Sequence, residues 1–146
     1  IGYNYRMSNV CAAIGLGQLE VLEKRVNKRR LIFDSYKNQL HGFQGITFNN
    51  EPKDAFSNRW LTILLLSQDS TIDKEQIRLH LESYNIEVRP VWKPMHLQPI
   101  FSSYEMYGGV VSEEIFKRGL CLPSGSNMSD KEISIVIQRI KSLYEE

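Results

Sequence analysis

Apolar residues return at helical intervals through the first part of the chain. Leu19, Leu22, Val26, Phe33, Tyr36 and Leu40 are spaced by three, four and seven, which predicts one stripe on a helix from about Ser8 to Leu40. Ser8 or Asn9 offers an N-cap oxygen to a free backbone N–H, and His41-Gly42 offers a stop. Unbroken, this helix would run about 50 Å at about 1.5 Å per residue. That exceeds the width of a small domain, so a kink is expected, or a bridge to something outside these residues. The first half, NVCAAIGLGQLE, carries Ala12, Ala13, Gly15 and Gly17. Glycine disfavours helix, so these small residues predict close approach of another backbone.

Beyond Gly42 the pattern alternates strand and helix. HGFQGITFNNEPKDAFSN is turn-rich with one short strand at ITF, and RWLTILLLS is a strand apolar on both faces, expected to be covered at least in part by helices. DKEQIRLHLESY predicts a helix with Asp73 and Gln76 in capping-box positions and with Ile77, Leu81 and Tyr84 facing the core. IEVRP is a short strand halted by Pro90. PVWKPMHLQP holds Pro90, Pro94 and Pro99 and predicts an extended, stiff loop. SEEIFKRG is a short helix and LCLP a short strand. The last helix, SDKEISIVIQRIKSLYEE, is capped by Ser129 and Glu132 and buries Ile133, Val136, Ile137, Ile140 and Leu143. The fold class is α/β (α+β): a two-layer sandwich with a small sheet packed by helices. Residues 1–42 form a motif loop and long linking helix; residues 43–146 form a small α/β domain.

Composition changes little in this picture. At 146 residues the chain holds one core, and a net charge of +1 gives no electrostatic case for nucleic acid or an anionic membrane. The basic run KRVNKRR at 24–30 points several ways around a helix and reads as a solvated face. No apolar run approaches membrane-spanning length and no leader is expected. Cys11 and Cys121 lie far apart in apolar stretches, as reduced, buried thiols do, which favours a cytoplasmic setting. His41 and His80 have no second ligand at metal spacing, so no metal site is expected.

Two clusters carry candidate chemistry. In GYNYRM, Asn4, Tyr5 and Arg6 place an amide, a phenol and a guanidinium just ahead of a helix start, where free N–H groups and the dipole hold anions. The same residues also suit a capping loop whose Arg pairs with a surface acid. In RPVWKPMH, Arg89, Trp92, Lys93 and His96 ride a proline-stiffened loop. An aromatic among cations suits a flat, negatively charged ligand such as a nucleotide; a purely structural loop is the other reading. CLPSGSNMS is a turn before a helix rather than a nucleophile elbow.

GYNYRMSN with AAIGLGQLE, RPVWKPMHLQP, RGLCLPSG and MSDKE resembles, in order and over nearly the whole chain, the DegT/StrS-type sugar aminotransferases. The resemblance implies the small C-terminal domain of a fold type I aminotransferase that uses pyridoxal 5'-phosphate. RPVWKPMH looks most like members acting on nucleotide-linked 4-keto-6-deoxy sugars, with glutamate as amino donor. It implies that Asn4 reaches the cofactor phosphate of the other subunit in a homodimer. Arg6 then borders the substrate at its diphosphate, Tyr5 shapes that edge, and Trp92, Lys93 and His96 border the substrate pocket. The family's Schiff-base lysine lies upstream of the Asn-Tyr-Arg motif, so no catalytic residue is assigned here. The chain is expected to be inactive alone, without bound cofactor, and to need an N-terminal cofactor domain. A free-standing α/β nucleotide-binding or regulatory module is the alternative.

Overall fold

The computed structural model describes residues 3–145. Ser8, in extended conformation, accepts the Cys11 N–H at 3.2 Å and opens helix α1 (Asn9–Leu19). Helix α2 (Leu22–Leu40) is a separate element. At Val21 the backbone leaves helical geometry (φ −112°, ψ 4°), and the Val21 N–H bonds Gln18 O instead of continuing the ladder. The expected kink is thus a complete break, and it ends the predicted stripe. Leu19 and Leu22 are exposed, Val26 is half-buried, and Ile32, Phe33, Tyr36 and Leu40 enter the core. The reason is placement: the second half of α2 lies over the sheet, whereas α1 buries no residue. Cys11, expected to be buried, is exposed on α1 for the same reason; Cys121 is buried.

Gly42 (φ 79°) adopts the left-handed conformation that glycine tolerates and donates its N–H to Ile46 O at 2.8 Å, turning the chain into the sheet. Strands β1 (Ile46–Phe48), β2 (Thr62–Leu66), β3 (Arg89–Pro90) and β4 (Gly119–Leu122) form an antiparallel sheet in the order β1-β2-β4-β3. The register aligns Phe48, Leu64 and Leu120 across one face. Helices α2, α3 (Lys74–Ser83) and α5 (Asp130–Ser142) close that face. Ile63 and Leu65 point to the opposite pleat and are half-buried there, with α4 (Val110–Arg118) against β2.

Both capping boxes form, Asp73 with Gln76 and Ser129 with Glu132. Ile77, Leu81, Ile133, Val136, Ile137 and Ile140 are buried as the periodicity requires, and Leu143 is half-buried. Tyr84 departs from expectation: it is exposed, with the Arg139 guanidinium 3.8 Å from its ring centre. Helix α3 has ended there, so its periodicity no longer aims the side chain inward. Tyr36 is fully buried and donates its hydroxyl to Pro123 O at 3.1 Å; burial pushes its pKa up.

Helix α4 runs into β4 without a loop, which requires glycine at the junction. A Cβ on Gly119 would lie 2.5 Å from Ile115 O and 2.7 Å from a Val91 methyl. Gly119→Ala is therefore expected to destabilise the chain by about 1–3 kcal/mol through overpacking. A lower urea midpoint at unchanged slope would report it.

Candidate functional site

Residues Tyr3–Met7 lead into α1 exposed. The Asn4 Oδ1 accepts the Arg6 backbone N–H at 3.1 Å, an Asx-type turn. That bond engages the amide oxygen, and on an exposed side chain Nδ2 is left to donate. Tyr5 lies edge-on to Tyr3 with ring centres 6.0 Å apart. Among the described residues, no hydrogen bond engages Asn4 Nδ2 or the Arg6 guanidinium. The segment just ahead of α1 thus offers an amide donor and a guanidinium, both exposed, next to the positive end of a helix.

The second cluster divides. Trp92 stacks on Trp60, ring centres 5.7 Å apart and planes at 28°. The pair borders a cleft of about 400 Å³ that also takes in Glu87, Arg89, Cys121 and Ser124. Edge strand β3 sets Arg89 opposite Cys121, and Glu87 holds the Arg89 guanidinium at 2.7 Å, both side chains largely in solvent. Lys93 is exposed and outside the cleft lining. His96 turns to α4, its Nε2 2.9 Å from Glu113 Oε1, with Gly109 packed against the ring. The segment is not extended throughout: Met95–Leu97 and Pro99–Phe101 form single 3-10 turns. Pro94 and Pro99 have φ preset to values compatible with a helical first turn.

The sequence pattern did not reveal what holds Trp60. Glu51 receives a bidentate pair from Arg30 (2.9 and 3.0 Å) and lies 3.8 Å from Arg59. It also accepts the Ser57 N–H. The Arg30 fork, that N–H and the Arg59 charge bring the Glu51 pKa down to about 2. Arg29 donates to the Trp60 carbonyl and Arg30 to the Ser57 carbonyl. Arg59 is buried, packs 3.7 Å over the Phe33 ring and has a positive φ of 48°. The run 24–30 is thus only partly a solvated face. Lys24 and Arg25 are exposed, whereas Arg29 and Arg30 work on a loop about thirty positions away, a pairing with no local signature.

Solved aminotransferases share this architecture. PseC of Helicobacter pylori, an aminotransferase involved in the biosynthesis of pseudoaminic acid, superposes with a TM-score of 0.86 at 19% identity, over 99% of this chain and 39% of its own. A DegT/DnrJ/EryC1/StrS aminotransferase from Brucella abortus gives 0.85 at 23%, over 100% and 38%. The fold is therefore that of a portion of a fold type I aminotransferase. More specifically, the chain belongs to the DegT/DnrJ/EryC1/StrS aminotransferase family, whose sequence profile matches residues 1–141. It is 48% identical to EpsN of Bacillus subtilis over 148 residues, covering 99% of this chain and 38% of EpsN. It is 35% identical to GDP-perosamine synthase of Escherichia coli O157:H7, covering 99% of this chain and 38% of that enzyme. The chain spans about 38% of the length of these relatives.

Proposed function

We propose that this chain is the C-terminal portion of a cytoplasmic pyridoxal-phosphate aminotransferase that moves an amino group from glutamate to a nucleotide-linked keto-sugar. The outward amide of Asn4 carries this reading, because it offers a donor to a phosphate delivered by another part of the assembly. Residues 1–42 serve as motif loop and linking helices, and residues 43–146 as the small domain. The cofactor supplies an electron sink when bound. Asn4 donates to its phosphate across a homodimer, while Arg6 meets the substrate diphosphate and Tyr5 shapes that edge. Trp92, joined by Trp60, walls the substrate pocket; Lys93 stays exposed outside that cleft, and Glu113 holds the His96 ring against α4.

Covalent attachment of the cofactor is assigned to a lysine outside this chain. Desolvation lowers the pKa of Lys74, but its ammonium donates to Phe116 O and sits 4.3 Å from the Phe116 ring centre, engaged in packing α3 against α4. A second reading, a free-standing nucleotide-binding module, is favoured by one feature: the cleft beside Trp60 and Trp92 is walled by this chain itself.

Three experiments separate the readings. The chain mixed with pyridoxal phosphate and reduced with borohydride is expected to carry no stoichiometric lysine adduct. Joined in place of the corresponding portion of E. coli O157:H7 GDP-perosamine synthase, it is expected to give a chimera that binds the cofactor and aminates a nucleotide-linked 4-keto-6-deoxy sugar. A stoichiometric adduct on the chain alone, or a folded chimera without transaminase activity, overturns the proposal. Micromolar quenching of tryptophan fluorescence by a nucleotide-sugar, with an inactive chimera, would favour the module.

A further inference from the structure

We propose that Glu51 is a positioning residue: by bridging Arg30 and Arg59 it fixes the 57–60 segment in the turn that presents Trp60 to Trp92. Trp60 is largely exposed, so burial does not hold its ring in place. The backbone of the 57–60 segment is held at three points, two of them on Trp60 itself. Arg29 of α2 donates to the Trp60 carbonyl, Asn58 Oδ1 accepts the Trp60 N–H at 3.0 Å, and Arg30 donates to the Ser57 carbonyl at 2.6 Å. Between them stands Arg59 in the left-handed region, which a non-glycine residue occupies only when its surroundings impose it.

What imposes it is legible in the contacts. The Arg59 guanidinium is pinned between the Phe33 ring at 3.7 Å, Asn49 O at 3.4 Å and the Glu51 carboxylate. Glu51 closes the arrangement, since the same carboxylate takes the Arg30 fork and the Ser57 N–H. Such charge-assisted, bidentate contacts specify geometry as well as adding energy. Local strain held by a buried cation next to an exposed aromatic pair is the pattern expected beside a binding surface. The functional meaning of the pair rests on the reading of Trp92 as substrate wall; the positioning does not.

The test is optical. The chain contains two tryptophans, and stacked indoles produce an exciton couplet in the circular dichroism spectrum. Trp60→Phe and Trp92→Phe remove it and define the baseline. Glu51→Gln keeps the shape of the side chain and loses its charge; Arg30→Lys keeps the charge and loses the fork. Both are expected to bring the couplet toward that baseline while cooperative unfolding is retained. Lys28→Met, which breaks the α2 ion pair with Asp130, is expected to leave it intact. A couplet of wild-type size in either folded Glu51 or Arg30 variant overturns the proposal. Loss of cooperative unfolding in both variants would assign the cluster to overall stability and overturns it too. Guanosine diphosphate titration of the same variants in the GDP-perosamine synthase chimera separates the two readings. A collapsed couplet with unaltered binding leaves the positioning standing and removes the substrate wall, whereas an intact couplet removes the positioning whatever the binding does.

Discussion

Leu64→Ala is expected to destabilise the chain by about 2–5 kcal/mol, the range for deleting a large side chain from a packed core. Leu64 is fully buried in the middle of β2, between Phe48 on β1 and Leu120 on β4. Helices close this face, so the neighbours are fixed by secondary structure on both sides and cannot collapse far into the vacated space. Against a total stability of about 5–15 kcal/mol for a domain, such a loss is large. Urea unfolding should show a sharply lower midpoint with an unchanged slope. Leu65→Ala is the comparison, because Leu65 occupies the opposite, half-buried pleat of the same strand. Its loss should be distinctly smaller. Equal effects would mean that the face assignment of β2 is wrong.

Asn4→Ala is expected to weaken cofactor binding by the chimera roughly 10- to 150-fold, equivalent to about 1.5–3 kcal/mol for a hydrogen bond to a charged group. The amide oxygen already accepts the Arg6 N–H, so on the proposed reading the substitution removes the nitrogen that would donate to the phosphate. Asn4→Asp should be worse, since it sets an anion against an anion. Asn4 is exposed, and surface substitutions away from special features change stability by about 0.5 kcal/mol or less. The unfolding midpoint of the isolated chain should therefore barely move. Absorbance titration with pyridoxal phosphate gives the affinity. An unchanged value in Asn4→Ala would remove the phosphate role.

The two capping boxes, the Gly42 stop and the buried faces of α3 and α5 could be read from the chain because each depends on neighbours within about four positions. The same local rule failed at its ends. Leu19 and Leu22 continue the apolar spacing yet stay exposed, since the break at Val21 separates α1 from the half of α2 that reaches the sheet. Tyr84 continues the spacing of α3 past the point where the helix stops.

For the site, the residue types of GYNYRM ahead of a helix start were legible, and so was Trp92 on its stiffened loop. Its partner was not. Trp60 reads as the start of a strand, but it lies ahead of β2, and the pairing of β2 with β4 and of β4 with β3 brings its segment beside Trp92. His96 read as part of one cluster with Trp92, but the turns begun by Pro94 and Pro99 carry it to Glu113 on α4.

The sequence by itself determined the two capping boxes, the Gly42 stop and the buried faces of α3 and α5, because these follow from side-chain periodicity and from hydrogen bonds spanning a few residues. The tertiary structure alone decided which cations of α2 remain in water and which grip the loop before β2. That choice is made by contacts between residues far apart in the chain, where no spacing rule connects Glu51 to Arg30 or Trp60 to Trp92.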